Sequence, residues 1–181
     1  RFFSAGLLFT VLAFLPIIIG LDFANFASSI DLYFQKFEFN AGLYYLFRYI
    51  GKLWSGYNLI QYIGPLLGFI AVLLIIKKAY TSIEYHLQHF MNFAFFSFSV
   101  YLLLATTVHP WYLAVPVLFS VFVRFRFAVL WSFLIMLSYI NYSYDPYFEN
   151  LWVIGLEYIL VFGMIGYEVL YSTNRTRMTR I

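Results

Sequence analysis

The chain contains long apolar stretches that have almost no charged side chains. Phe2–Leu21 and Phe90–Val108 carry no charge at all. An apolar stretch of about 18 residues or more can cross a bilayer as a helix. Only 10% of the 181 residues are charged, against about 25% in an ordinary soluble domain. Because the stretches are continuous rather than alternating, they predict transmembrane helices and not a membrane β-barrel.

The pattern predicts an all-α fold, a multispanning transmembrane bundle of about six helices. Residues 1–181 are expected to form one transmembrane domain. The chain begins at Arg1 without a methionine, which leads us to expect the C-terminal part of a longer membrane protein. The predicted spans are Phe2–Leu21, Leu59–Ile76, Phe90–Val108, Trp111–Val123, Phe127–Tyr144 and Leu151–Tyr171.

The placement of the basic residues predicts how the bundle is oriented. Six spans put eight Lys and Arg residues on one side, and only three on the other. By the positive-inside rule the richer side, which includes the C-terminus, is cytoplasmic. The cytoplasmic set is Arg1, Lys77, Lys78, Arg124, Arg126, Arg175, Arg177 and Arg180, and the exterior set is Lys36, Arg48 and Lys52.

The longest segment between predicted spans is the exterior loop 22–58. Its spacing predicts a pair of amphipathic helices lying on the membrane. Asp31, Gln35 and Glu38 share one face of the first helix, with Ser28 or Ser29 as its N-cap. A break is expected at Asn40–Gly42, and a second helix then carries Leu43, Phe47, Arg48, Ile50 and Lys52.

The acidic residues of this loop allow two interpretations. Glu38 and its neighbours could act as a base or hold a divalent cation. However, the loop has no D-x-D pattern and no His-rich pair, so a metal is possible but unsupported. The alternative is a solvated helix face without chemistry.

The run from Thr106 to Leu113 contains the clearest backbone break. Pro110 has no N–H and disfavours helix at His109. The following span is short, which would place the break below the membrane surface, where irregular backbone must face protein or a watery cavity. His109 is therefore a candidate for binding an anionic group such as a phosphate. The alternative is an ordinary helix-hairpin turn with a capping histidine.

Glu157 lies inside the last predicted span. A carboxylate within a membrane helix is costly and indicates a functional residue by default. It could pair with His109, bind a sugar hydroxyl or order the bundle. Glu168 lies nearer the cytoplasmic end and can reach water, which favours a role without chemistry. Asp145 and Glu149 are expected in a turn, and the alternative is that they line the exterior cleft.

Several function classes lack their motifs. The sequence has no Walker loop, no dinucleotide-binding glycine pattern, no zinc signature and no cysteine. No cofactor is evident, and no basic face indicates nucleic-acid binding. The basic tail Arg175–Arg180 is expected to meet anionic membrane lipids.

The chain resembles one membrane-protein family. The motifs are His109-Pro110-Trp111-Tyr112, which is the most specific, with Phe37-Glu38-Phe39-Asn40, Tyr44-Tyr45…Arg48, Gly56-Tyr57-Asn58, Trp131-Ser132…Leu137-Ser138-Tyr139 and Glu157-Tyr158. Together they resemble the C-terminal half of bacterial mannosyltransferase-like integral-membrane glycosyltransferases of the GT-C class.

This resemblance implies inverting transfer of a sugar from a polyprenyl-phosphate donor to a hydroxyl of a glycan or lipid acceptor. It implies a site on the extracytoplasmic face of the bacterial inner membrane. The family's catalytic acid usually lies in an exterior loop upstream of the part seen here, so the catalytic residue is unknown. The candidate substrate-binding residues are His109, Trp111, Tyr112, Glu157, Glu38 and Asn40.

Two other functions fit the sequence. A lipid or glycan transporter or flippase would also need a membrane bundle with broken helices, although the chain shows no internal repeat. A non-catalytic membrane scaffold would tolerate replacement of both His109 and Glu157.

Overall fold

The computed structural model describes residues 2–20, 22–35, 37–81 and 86–178. The fold is all-helical, as the sequence predicts. Two 3-10 stretches, Pro110–Leu113 and Ile135–Ser143, interrupt the α-helices. The α-helices are α1 Phe2–Ile19, α2 Phe23–Gln35, α3 Gly42–Ser55, α4 Ile60–Thr81, α5 Leu87–Leu104, α6 Ala114–Ser120, α7 Phe127–Leu134 and α8 Leu151–Met178.

Within the described residues, three helical stretches are long and apolar enough to cross a membrane, by length and composition: Ile60–Thr81, Leu87–Leu104 and Leu151–Leu170. The predicted count of six spans is not supported. The fourth and fifth predicted spans are interrupted, because a 3-10 turn precedes the short α6 and α7 continues as a 3-10 stretch. Shorter apolar helices cover Ser4–Ile17, Pro110–Ser120 and Phe127–Ser143.

Large apolar side chains lie on the outside of the bundle. Trp54 and Trp152 are both 90% exposed, and Phe9 is 74% exposed. A chain that presents so much apolar surface is suited to a lipid solvent, because in water such patches mark association or aggregation. The exposed surface therefore agrees with a membrane location.

Helix α2 begins earlier than predicted. The carboxylate of Asp22 accepts hydrogen bonds from the backbone N–H groups of Ala24 at 3.0 Å and Asn25 at 3.3 Å. This caps the helix, so Ser28 and Ser29 lie inside it, and the prediction that one of them is the N-cap is wrong. Glu38 lies beyond the end of α2 rather than on it. The side chains 30–36, including Asp31 and Gln35, lie outside the described residues.

The predicted break before the second loop helix is confirmed. Asn40 has a φ of 49°, a left-handed conformation that asparagine tolerates better than most residues. Helix α3 follows and carries Arg48 and Lys52 as predicted. Gly42 opens α3 directly against the ring of Tyr158 in α8, where a Cβ atom would overlap that ring.

The break near His109 is confirmed, but it starts earlier. Helix α5 ends at Leu104, and the chain then runs extended to His109. The Phe39 N–H donates to the Thr106 carbonyl at 3.1 Å, and the Val108 N–H donates to the Phe39 carbonyl at 2.8 Å. This parallel bridge satisfies backbone groups that the interrupted helix leaves open.

The core lies where α3, α5, α7 and α8 meet. Trp131, Ile135 and Val161 are fully buried in it, together with Tyr44. At another point Glu168 of α8 accepts hydrogen bonds from the N–H groups of Arg126 at 2.6 Å and Phe127 at 3.1 Å. Glu168 thus caps the start of α7, a structural role in line with the non-functional interpretation.

Candidate functional site

A network of polar side chains is centred on Asn40, which is fully buried. Its side-chain amide donates to the Glu157 carboxyl at 3.1 Å. Its backbone N–H donates to Glu149 at 2.9 Å, and its carbonyl accepts from the Tyr158 hydroxyl at 2.8 Å. One loop residue in an αL conformation therefore joins the loop before α8, through Glu149, to α8 itself.

Glu157 is also fully buried. The indole N–H of Trp131 donates to its Oε1 at 2.8 Å, the same oxygen that accepts from Asn40. Its other oxygen, Oε2, has no hydrogen-bond partner among the described residues, and neither has Asn40 Oδ1. The donors to Glu157 among the described residues are neutral groups, and His109, one of three alternatives for its interaction, is not among them.

Glu149 is the second carboxyl of the network. It accepts from the Tyr45 hydroxyl as well as from the Asn40 N–H. Burial raises the pKa of Glu149, and these two hydrogen bonds oppose the rise. Burial and the adjacent Glu149 charge raise the pKa of Tyr45, so its hydroxyl stays a donor at neutral pH.

A more exposed layer lies next to this network. Arg48 pairs with Glu38 at 2.5 Å, and its guanidinium lies over the Tyr45 ring, 4.4 Å from the centroid. The Tyr44 hydroxyl donates to Asn58 Oδ1 at 3.1 Å, which ties α3 to the start of α4. Among the described residues, Glu38–Arg48 is the ion pair observed.

A cavity of about 500 Å³ opens beside this layer. Arg48 and Lys52 bring two cationic side chains to its wall, and three tyrosines bring rings with a polar end. Tyrosine can pack against one face of a sugar and hydrogen-bond at its hydroxyl. The lining residues are Tyr45, Arg48, Tyr49, Lys52, Gly56, Tyr57, Asn58 and Leu151.

His109 lies in an aromatic stack. Its ring is 4.8 Å from that of Phe39 and 4.4 Å from that of Trp111, and Tyr112 meets it edge-on at 5.3 Å. Burial lowers the pKa of His109, so the imidazole is neutral at pH 7. Its Nδ1 atom is buried and has no hydrogen-bond partner within the part of the chain that the structure describes.

The predicted site residues thus fall into two connected groups. Asn40 and Glu157 are bonded directly, with Glu38 two residues before Asn40 and paired to Arg48. His109, Trp111 and Tyr112 form the aromatic group. Phe39 connects the two groups, because it stacks on His109 and precedes Asn40 in the chain.

The sequence did not predict the role of two residues of this network. Glu149 was expected in a loop, but it turns inward and is bonded to Tyr45 and Asn40. Trp131 belongs to a motif of the resemblance with no role assigned to it, yet its N–H reaches Glu157. A buried carboxyl needs hydrogen-bond donors. The position of Glu157 in the sequence therefore predicts that it has partners but does not identify them.

The geometry around the carboxyls is not that of a metal site. Across residues 2–20, 22–35, 37–81 and 86–178, no group of three or more His, Cys, Asp or Glu residues is close enough to hold a metal ion. Each oxygen that accepts a bond at Glu149 and Glu157 takes it from a hydroxyl, an amide or an indole. The arrangement can accept and donate hydrogen bonds next to a cationic cavity.

Comparison with known proteins gives no family assignment. No protein-family model matches the chain, and no curated protein or solved structure matches it. The resemblance to GT-C glycosyltransferases therefore stays a prediction that depends on the quoted motifs.

Proposed function

We propose that this chain is part of a membrane glycosyltransferase that moves a sugar, mannose by its resemblance, from a polyprenyl-phosphate donor to a hydroxyl acceptor. The observation that carries the proposal is the cavity lined by Arg48, Lys52 and three tyrosines. Cationic groups suit a lipid phosphate, and tyrosines suit a sugar ring. The apolar outer surface would give the polyprenyl chain a lipid path to the cavity.

In this reaction a base removes the proton of the acceptor hydroxyl. The hydroxyl oxygen then attacks the anomeric carbon, and the lipid phosphate leaves with the bonding electrons. Arg48 and Lys52 would stabilise the charge of that phosphate. We assign no described residue as the base. The resemblance implies that the acidic side chain acting as the base lies upstream of the described residues.

Lys52 offers the cleanest test of the cavity. It is exposed and forms no ion pair in the part of the chain that the structure describes, so Lys52→Gln should leave the fold intact. Loss of one charged contact, worth about 1.5 kcal/mol or more, should raise KM for polyprenyl-phosphate mannose at least about tenfold. Lys77→Gln, at an exposed position on α4, is the matched control. Equal kinetics for both variants of the full-length protein would remove the cavity from the donor site.

His109 is tested by two replacements. His109→Phe keeps an aromatic ring between Phe39 and Trp111, whereas His109→Ala removes it. If the imidazole contacts the donor, both variants lose donor affinity and only His109→Ala loses stability. Unchanged affinity and turnover in His109→Phe would make the stack purely structural.

We also propose that the three shorter apolar helices complete the membrane domain, with the cavity on the extracytoplasmic side of the bacterial inner membrane and the C-terminus in the cytoplasm. These 181 residues contain no cysteine, so a single cysteine introduced into them reports on topology without background from this part of the protein. Lys52→Cys in intact cells should react with an impermeant maleimide, and Lys77→Cys should react only after permeabilisation. The reverse pattern would exclude this orientation.

A lipid or glycan transporter is the second candidate. Two apolar stretches are discontinuous, with the extended run before Pro110–Leu113 and the 3-10 stretch Ile135–Ser143. Broken helices often line transporter sites. Movement of the lipid-linked sugar across vesicles without any transfer product would favour this function. A non-catalytic scaffold would show neither activity.

A further inference from the structure

Two buried acceptor atoms lie on directly bonded side chains, and neither has a donor. Asn40 Nδ2 donates to Glu157 Oε1 at 3.1 Å. The other atom of each planar group, Asn40 Oδ1 and Glu157 Oε2, is buried and unpartnered among the described residues. Both residues are fully buried. A buried oxygen without a donor is unfavourable. Two such oxygens on one bonded pair therefore indicate that a hydrogen-bonding group is shared between them.

We propose that Glu157 and Asn40 form a buried proton-binding site, in which Glu157 is protonated on Oε2 and donates to Asn40 Oδ1. The pair then forms two parallel hydrogen bonds, one from the amide to the carboxyl and one from the carboxyl to the amide. A single proton on Glu157 Oε2 therefore gives both of the unpartnered oxygens a hydrogen bond. This proposal concerns the resting protein and does not depend on sugar transfer.

The charges around Glu157 favour this state. Oε1 accepts from Trp131 and Asn40, which are neutral donors. None of the described Lys and Arg residues forms an ion pair with Glu157. Arg48 pairs with Glu38 instead. An ionised carboxylate at this depth would be an uncompensated buried charge, which costs far more than a neutral acid.

Among the described residues, the groups bonded around the pair include no Lys or Arg. The titratable groups bonded to Asn40 besides Glu157 are the Tyr158 hydroxyl on α8, which donates to the Asn40 carbonyl, and the Glu149 carboxyl, which accepts from the Asn40 N–H. Tyr45 of α3 donates to Glu149, and Arg48 lies beyond it over the Tyr45 ring.

A metal ion is a poorer occupant than a proton. Ca²⁺ and Mg²⁺ take about six oxygen ligands or more, and only two oxygens here lack a donor. A water molecule could donate to both atoms and leave Glu157 ionised. Water and proton are therefore the two occupants that an experiment must separate.

Infrared difference spectroscopy separates them in the purified chain at neutral pH. A protonated carboxyl gives a carbonyl band apart from the carboxylate bands, and the band shifts in D₂O. We expect wild type minus Glu157→Gln to show the loss of this acid band. Glu149→Gln is the matched control and should keep it. Loss of carboxylate bands in Glu157→Gln, with no acid band lost, would overturn the proposal in favour of water.

Thermal unfolding gives a second readout. The side-chain amide of Glu157→Gln can donate to Asn40 Oδ1 as the acid does, and its oxygen can still accept from Trp131. The unfolding midpoint should therefore be unchanged, whereas Glu157→Ala should lower it. Should Glu157→Gln fail to fold, the isosteric neutral group does not replace the native one and the proposal is wrong. Labelling the glutamates of the wild-type protein with ¹³C should shift the acid band, which assigns the band to a glutamate without any substitution.

Discussion

The ring of Phe39 stacks on that of His109 at 4.8 Å, and the next residue, Asn40, is bonded to Glu157. Two consecutive residues thus join the aromatic stack to the buried carboxyl. The bridge between Phe39 and residues 106–108 holds this register. A substitution in the aromatic stack should therefore affect the buried carboxyl, and a substitution at the carboxyl should affect the stack.

Asn40→Ala should destabilise the protein strongly. It removes the amide bonded to Glu157, a loss of about 1 to 3 kcal/mol, and alanine tolerates the left-handed conformation less well than asparagine does. Asn40→Gly suits the φ of 49° and should lose only the amide part. Unfolding in detergent measures both. If the two variants are equally unstable, the backbone conformation contributes nothing.

Gly42→Ala should destabilise by about 1 to 3 kcal/mol, because the new methyl group would overlap the Tyr158 ring and force repacking. Gly155→Ala is the control, since open space surrounds Gly155 in α8. That change should be neutral or stabilising by up to about 1 kcal/mol. Similar unfolding midpoints for the two variants would mean that α3 does not pack closely on α8 here.

Glu149 should make the free energy of unfolding depend on pH in the acidic range. Its pKa in the folded protein lies above the ordinary value of 4.5 because it is buried. The folded chain therefore keeps a proton that the unfolded chain releases just above pH 4.5. This contribution to stability is complete below pH 4.5 and is lost as pH rises through the folded pKa. Glu149→Gln should flatten that slope, as measured by unfolding between pH 4 and 7. An unchanged slope would assign it to other groups.

Glu168→Ala should lower stability by about 1 kcal/mol, the usual worth of a helix cap. The variant leaves the N–H groups of Arg126 and Phe127 without their acceptor. Glu168→Gln keeps an acceptor oxygen and should lose less. Asp145→Ala, at an exposed acid in the turn before α8, serves as the control. Amide hydrogen exchange at the start of α7 should quicken only in the Glu168 variants.

Local sequence signals located several features of the site. Pro110 lacks an N–H, so it identified the break at His109, and the asparagine–glycine spacing at Asn40–Gly42 identified the loop break. A carboxyl inside an apolar helix identified Glu157 as unusual. These signals are carried by single residues and their immediate neighbours, so they can be read without the fold.

Other features depend on contacts between distant segments. Asn40 and Glu157 are 117 residues apart, and the earlier end of α5 follows from its bridge to Phe39. The start of α2 was missed because Asp22 competes with the serines as a cap. Hydropathy alone does not support six spans, because it does not show where an apolar stretch is interrupted by 3-10 turns, as in the fourth and fifth predicted spans.

By itself the sequence determined that the chain is helical and suited to lipid, since hydropathy and the lack of charge are properties of composition and local order. Only the tertiary structure decided which polar groups meet. Burial removes water from Glu157, Glu149 and Asn40, so each must find its partner in another segment. That pairing follows from how α3, α7 and α8 pack, and no local pattern encodes it.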